Sequence, residues 1–88
     1  MKNLTTKTAR MNMKEFIEYI VKELVDKPDE VHINEIDGER SSVFEVRVGK
    51  GDFGKVIGKQ GQTARSIRML VAAASAKLGR RSIIEILE

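Results

Sequence analysis

The 88-residue chain has no cysteine and no tryptophan, one proline, one histidine, three phenylalanines and one tyrosine. Without cysteine there is no disulfide framework, no thiolate metal site and no cysteine nucleophile, and the composition fits a reducing compartment such as the cytoplasm. So few aromatic rings leave no material for a nucleic-acid platform built on exposed stacking side chains. One histidine and four aspartates offer little to metal binding or acid–base catalysis, so neither a metal nor a cofactor is expected. The longest apolar run, Met69 to Ala74, is six residues, far below the ~20 needed to span a bilayer, and no membrane association is expected. Residues 1–10 are basic but no apolar stretch follows them, so a secretory signal is not expected either.

What remains is one small domain. Apolar residues make up 41% of the chain, enough for a thin two-layer core. The net charge of +3 hides a strong segregation. Residues 1–10 carry +3, residues 11–49 carry −5, residues 50–81 carry +7 and the last seven carry −2. In the basic segment Lys50, Lys55, Lys59, Arg65, Arg68, Lys77, Arg80 and Arg81 face a single acid, Asp52. Clustered positive charge of this kind points to a polyanionic partner or to an ordinary solvated face, and charge alone does not separate the two.

Residues 1–11 are polar and threonine-rich without periodicity, which reads as a disordered tail preceding a single domain over 12–88. Asn12 followed three residues later by Glu15 is a capping box opening a helix. Phe16, Ile17, Ile20, Val21, Leu24 and Val25 form its apolar stripe, and Pro28 stops it. Val31–Ile36 and Val43–Val48 are alternating, β-branched runs around Asp37-Gly38, a hairpin with a six-residue loop over 37–42. Phe44, Val46 and Val48 are expected to face the core. Asp52 is placed to cap a short helix over Phe53 to Ile57. A tight loop, Gly58-Lys59-Gln60-Gly61, leads into a long helix reaching Leu78, with Ala64, Ile67, Val71, Ala74 and Leu78 as its core stripe and Gly79 as its stop. A last strand over Ser82 to Leu87 turns Ile84 and Ile86 inward. A helical crossover between two strands predicts that they run parallel.

Five of the seven glycines lie between residues 49 and 61. Gly49-Lys50-Gly51-Asp52-Phe53-Gly54 matches G-x-G-x-x-G literally, but a dinucleotide site needs one unbroken helix and an acid about 20 residues on. Here the helix breaks at Gly58, and no acid lies between Asp52 and Glu85. A small-molecule nucleotide substrate is therefore not expected.

The stretch from Gly54 to Arg68, with Val56-Ile57-Gly58-Lys59-Gln60-Gly61 at its centre, resembles the core of a K-homology (KH) domain. With a helix and a hairpin before it and a strand after, the order resembles the type II arrangement. From about Met13 onward the chain is similar to the small single-KH bacterial proteins of the KhpA family. The resemblance implies an α+β fold of order α-β-β-α-α-β, a three-stranded mixed sheet with helices packed on one face. It implies binding of single-stranded RNA without catalysis, homodimers, pairing with a larger KH protein of the KhpB/Jag type, and post-transcriptional roles linked to cell elongation and envelope homeostasis.

The chemistry of the motif stands beside the resemblance. A G-x-x-G loop admits a phosphodiester backbone because glycine has no Cβ to obstruct it, and the next helix points free N–H groups at the same place. Gly58, Lys59, Gln60, Gly61 and Gln62 form this clamp, with Lys55, Arg65 and Arg68 as flanking donors. By resemblance Val56 and Ile57 contribute to the floor of an apolar groove, whose far wall comes from the sheet and the 37–42 loop. The plain alternative is a turn whose glycines only satisfy backbone geometry. Phe53 is expected to pack beneath the short helix, His32 to be an ordinary strand residue, and Arg80-Arg81 either to touch phosphate or to cap the helix end. Met69, Leu70 and Ala73 lie off the core stripe where a solvated helix would carry charge, which makes them a candidate dimer interface. A rival reading is a protein-interaction module on the same fold with little RNA binding. An enzyme is not expected, since no nucleophile–base pair appears.

Overall fold

The computed structural model describes residues 12–88; the expected disordered tail over 1–11 lies outside them. The element order is α1 (Met13–Leu24), β1 (His32–Asp37), β2 (Ser41–Arg47), α2 (Phe53–Ile57), α3 (Gln62–Lys77) and β3 (Arg81–Leu87), with single 3-10 turns at Pro28–Glu30 and Lys59–Gly61. The sheet order is β1-β2-β3, with β1 antiparallel and β3 parallel to β2. This is the α+β arrangement of a type II KH fold.

The capping box forms as read. Asn12 Oδ1 accepts the backbone N–H of Glu15 at 2.8 Å, and Glu15 Oε1 accepts that of Asn12 at 3.2 Å. Helix α1 ends at Leu24, four residues before Pro28, the expected stop, and Pro28 opens the 3-10 turn instead. The reason is remote in sequence. Asp52, expected to cap α2, makes no side-chain cap there. It is 2% exposed, and its two carboxylate oxygens accept the backbone N–H groups of Asp26 and Lys27. Those are donors left over where α1 unwinds.

The core is the layer between sheet and helices. Ile17 and Val21 of α1, Val31, Ile33 of β1, Phe44 and Val46 of β2, Val56 of α2, Ile67 and Val71 of α3 and Ile84 of β3 form it. Full burial of a side chain such as Phe44 or Val46 is worth about 1.5–3 kcal/mol. The stripe on α3 departs from expectation at its end. Ala64, Ile67 and Val71 are buried as read, but Ser75 takes the next core position, Ala74 is half-buried and Leu78 is 66% exposed. Ser75 is accommodated because its hydroxyl donates to Ser82 Oγ at 2.6 Å. Leu78 falls outside because the helix has already stopped. Arg80 N–H bonds Ser75 O and Gly79 N–H bonds Ala76 O, a Schellman closure that turns the chain at Leu78.

The hairpin is tighter than a six-residue loop. Asp37 pairs with Ser42, and Gly38 N–H donates to Ser41 O at 2.8 Å.

Candidate nucleic-acid interface

Helix α2 is closed by Gly58, whose N–H donates to Gly54 O at 2.8 Å and whose φ of +78° turns the chain out of the helix. A Cβ at Gly58 would collide with the Thr63 side chain and sit 2.8 Å from the Thr63 backbone nitrogen, so nothing larger fits. Gly61 follows at φ +76° as the N-cap of α3, with open space around it. Between them Gln60 holds a left-handed φ of +57°, the one non-glycine residue with positive φ among those described. Strain of this kind concentrates at ligand clamps and tight turns. Because Gly61 supplies no side-chain oxygen, the first N–H groups of α3 carry no side-chain cap. They form the positive end of a 16-residue helix dipole.

Around this bare helix start, Lys59, Gln60, Gln62, Arg65 and Arg68 are all exposed, while Ile57, Gly58 and Gly61 are half-buried. Arg65 and Arg68, three residues apart, lie on neighbouring turns of α3. Lys55 is also exposed and pairs with Asp26 at 3.3 Å, a contact open enough to water to leave its charge largely available. Met69 and Leu70 are 68% and 54% exposed, and Ala73 is exposed beside them, so these three lie off the molecule's own core.

Three expectations about the site change. Val56 has no exposed surface, so it braces α2 from inside the core and does not line a groove; Ile57 alone of the pair reaches the surface. The 37–42 segment does not wall the site. It sits where Ser41 pairs with Arg81, at the C-terminal end of α3, roughly 24 Å along the helix axis from the G-x-x-G loop. The strand facing α2 and α3 is β3, which packs against both. The Arg80 side chain, finally, neither caps α3 nor stands free for phosphate, although its backbone N–H closes the helix. Its guanidinium bonds Asp37 at 2.6 Å, the Gly38 carbonyl at 3.1 Å and Ser42 Oγ at 3.0 Å, pinning the hairpin turn.

Gly54 opens the KH-like stretch in the sequence without a role of its own in the clamp. It lies within α2 at ordinary helical dihedrals, is exposed, and a Cβ there would meet nothing within 4 Å. Glycine in a helix costs about 0.5–1 kcal/mol relative to alanine, and here no packing requires it. It borders a cavity of about 680 Å³ walled by Val48, Phe53, Leu87 and the backbone of Gly51. Phe53 is half-buried and lines this cavity. The signal in the sequence was a glycine inside a helical stretch with no turn to make. His32 is exposed in β1, and the described residues contain no group of three or more potential metal ligands. No helix among them is long and apolar enough to cross a membrane.

Comparison with known proteins agrees with this geometry. The family model described as KhpA/KhpB, KH domain, matches residues 14–86. The RNA-binding protein KhpA of Borreliella burgdorferi is 54% identical over 74 residues, 84% of this chain and 90% of the relative. The RNA-binding protein KhpA of Clostridium perfringens is 51% identical over 75 residues, covering 85% of this chain and all of the relative. That of Aquifex aeolicus is 47% identical over 76 residues, 86% and 96% of the two chains. No solved structure matches. On the extent of the family match and the identity with these relatives, the chain belongs to the KhpA/KhpB family of KH-domain proteins.

Proposed function

We propose that this protein binds single-stranded RNA through the Gly58–Gly61 loop and acts without catalysis. The observation that carries the reading is the coincidence of an uncapped α3 start, a left-handed loop tip and exposed Lys59, Gln60, Gln62, Arg65 and Arg68, with no acid between Asp52 and Glu85. A phosphate at the loop receives backbone N–H groups and positive charge together. Ile57 and the bare face of Gly54 extend the surface toward the cavity, where bases lie against apolar side chains and backbone. The names of the relatives, RNA-binding proteins KhpA, support the same partner.

One clamp touches few phosphates, so each protomer binds weakly and prefers short sequences. Joining two clamps raises the effective affinity without new contact types. We place the homodimer contact on Met69, Leu70 and Ala73, whose exposure on α3 supports it. The family kinship supports a further pairing with a KhpB/Jag-type KH protein in the cytoplasm, and a role as an RNA chaperone or post-transcriptional regulator connected with cell elongation and envelope homeostasis.

Fluorescence anisotropy against a single strand and its duplex, over a salt series, tests the reading. A clamp on about 3–4 phosphates gives a logarithmic salt slope of about 2–3 per protomer and a preference for the single strand. Equal affinity for duplex of any sequence would reduce the site to a nonspecific basic patch.

A further inference from the structure

The face of the sheet turned away from the helices carries an ordered pattern that the RNA site does not use. Ile33, Ser42, Phe44, Val46 and Ile84 point inward and are buried, so the alternate residues point outward. The strand registers align Ile36 with Val43 and Val43 with Ile83, an apolar row across all three strands. Ile36 is 51% exposed and Ile83 38%. Two residues further along β2 and β3, Glu45 is paired with Glu85, like charges directly opposite each other. Glu45 is partly relieved by the Asn34 amide at 3.1 Å, whereas Glu85 has no ion-pair partner among the described residues. Two residues to the other side of the row, Arg81 likewise has none.

We infer that this outer sheet face is a second self-association surface, and that a second copy of the chain occupies it across a two-fold axis running along the Ile36–Val43–Ile83 row. The charges select the partner and the axis. Rotation about that row lays each apolar residue on its own copy and exchanges the two sides of the row. Arg81 and Glu85 lie about 6.6 Å either side of Ile83 along the strand, so Arg81 of one copy faces the partner's Glu85, and the reverse contact forms at the same time. The Glu45–Glu85 repulsion within one sheet then gains a cation. A two-fold along the strand direction is disfavoured, because it stacks Glu45 on its own copy. A three-stranded face is small for a protein interface, so the contact is weak and concentration-dependent. It lies on the side of the sheet opposite the helices, and so leaves α3 free for Leu70 and the loop free for RNA. Protomers joined by both surfaces would line up several clamps along one strand.

Charge reversal tests it. Arg81→Glu sets a carboxylate against the partner's Glu85, and Glu85→Arg sets a guanidinium against the partner's Arg81. Each change alone should therefore weaken association by at least about tenfold. In an equimolar mixture of the two single variants, a mixed pair places two carboxylates opposite two guanidinium groups, and it should associate like the parent sheet face. The readout is sedimentation velocity from micromolar to millimolar protein, in the Leu70→Lys background to remove the helix contact. The same samples in the otherwise unaltered chain keep the test intact if Leu70→Lys does not fold. Recovery of association in the mixture alone, lost again in high salt, is the expected result. A mixture that sediments like its separate components, or no concentration-dependent association of the parent face, would overturn the inference.

Discussion

Asp52 Oδ2 accepts the backbone N–H of Lys27 at 3.0 Å, tying the exit of α1 to the entry of α2 across 25 residues of chain. The other oxygen takes the N–H of Asp26, so one buried carboxylate satisfies two donors.

Asp52→Ala removes both acceptors and leaves two backbone donors at a partly buried site. Hydrogen bonds to a charged group contribute about 1.5–3 kcal/mol, so a loss of at least that size is expected in urea unfolding. RNA affinity of the fraction that remains folded should change little, because Asp52 is not at the loop.

The two glycines at the ends of α2 should respond in opposite ways. Gly58→Ala meets both the wrong φ and the Thr63 backbone, and should destabilise by about 1–3 kcal/mol or more. Gly54→Ala enters open space and should stabilise by about 0.5–1 kcal/mol, while Gly54→Leu adds a bulky side chain at a residue lining the cavity and should weaken RNA binding several-fold. Thermal melts and RNA titrations on the same preparations check both. A Gly54→Leu protein that binds like the parent would remove Gly54 from the RNA surface.

Much of this was legible in the sequence because it is local. The Asn12–Glu15 capping box, the alternation of Phe44 and Val46, and the G-x-x-G turn each depend on residues within a few positions of one another. What was not legible depends on closure of the chain. Asp52 reads as a cap until the fold brings residues 26 and 27 to it. Leu78 continues the 100° periodicity on paper, but the Schellman turn ends the helix beneath it. Val56 looks like groove floor in a linear motif, and only packing of α2 on the core shows it facing inward. The 37–42 turn could be assigned to the site only while its end of the sheet was unknown. The Arg80 side chain was open between two exposed roles and took neither, because its partners lie about 40 residues away.

Leu70→Lys places a charge on an exposed apolar position of α3. The protein should remain folded by circular dichroism, since 54% of Leu70 is already in water. Light scattering should report loss of the helix-mediated dimer, and RNA affinity should fall with the loss of two-clamp binding. A parent protein that stays monomeric at high micromolar concentration would refute this interface.

The central claim is that a phosphodiester backbone sits on the Gly58–Gly61 loop. Replacing both Lys59 and Gln60 by aspartate leaves the glycines in place and suits the left-handed tip, since aspartate tolerates positive φ. Two negative charges then stand where a phosphate must lie. Binding of a short single-stranded RNA to the double variant, measured by anisotropy beside the parent, should be at least about tenfold weaker, 1.4 kcal/mol, with melting temperature little changed. A folded double variant that binds this RNA as tightly as the parent would contradict the account.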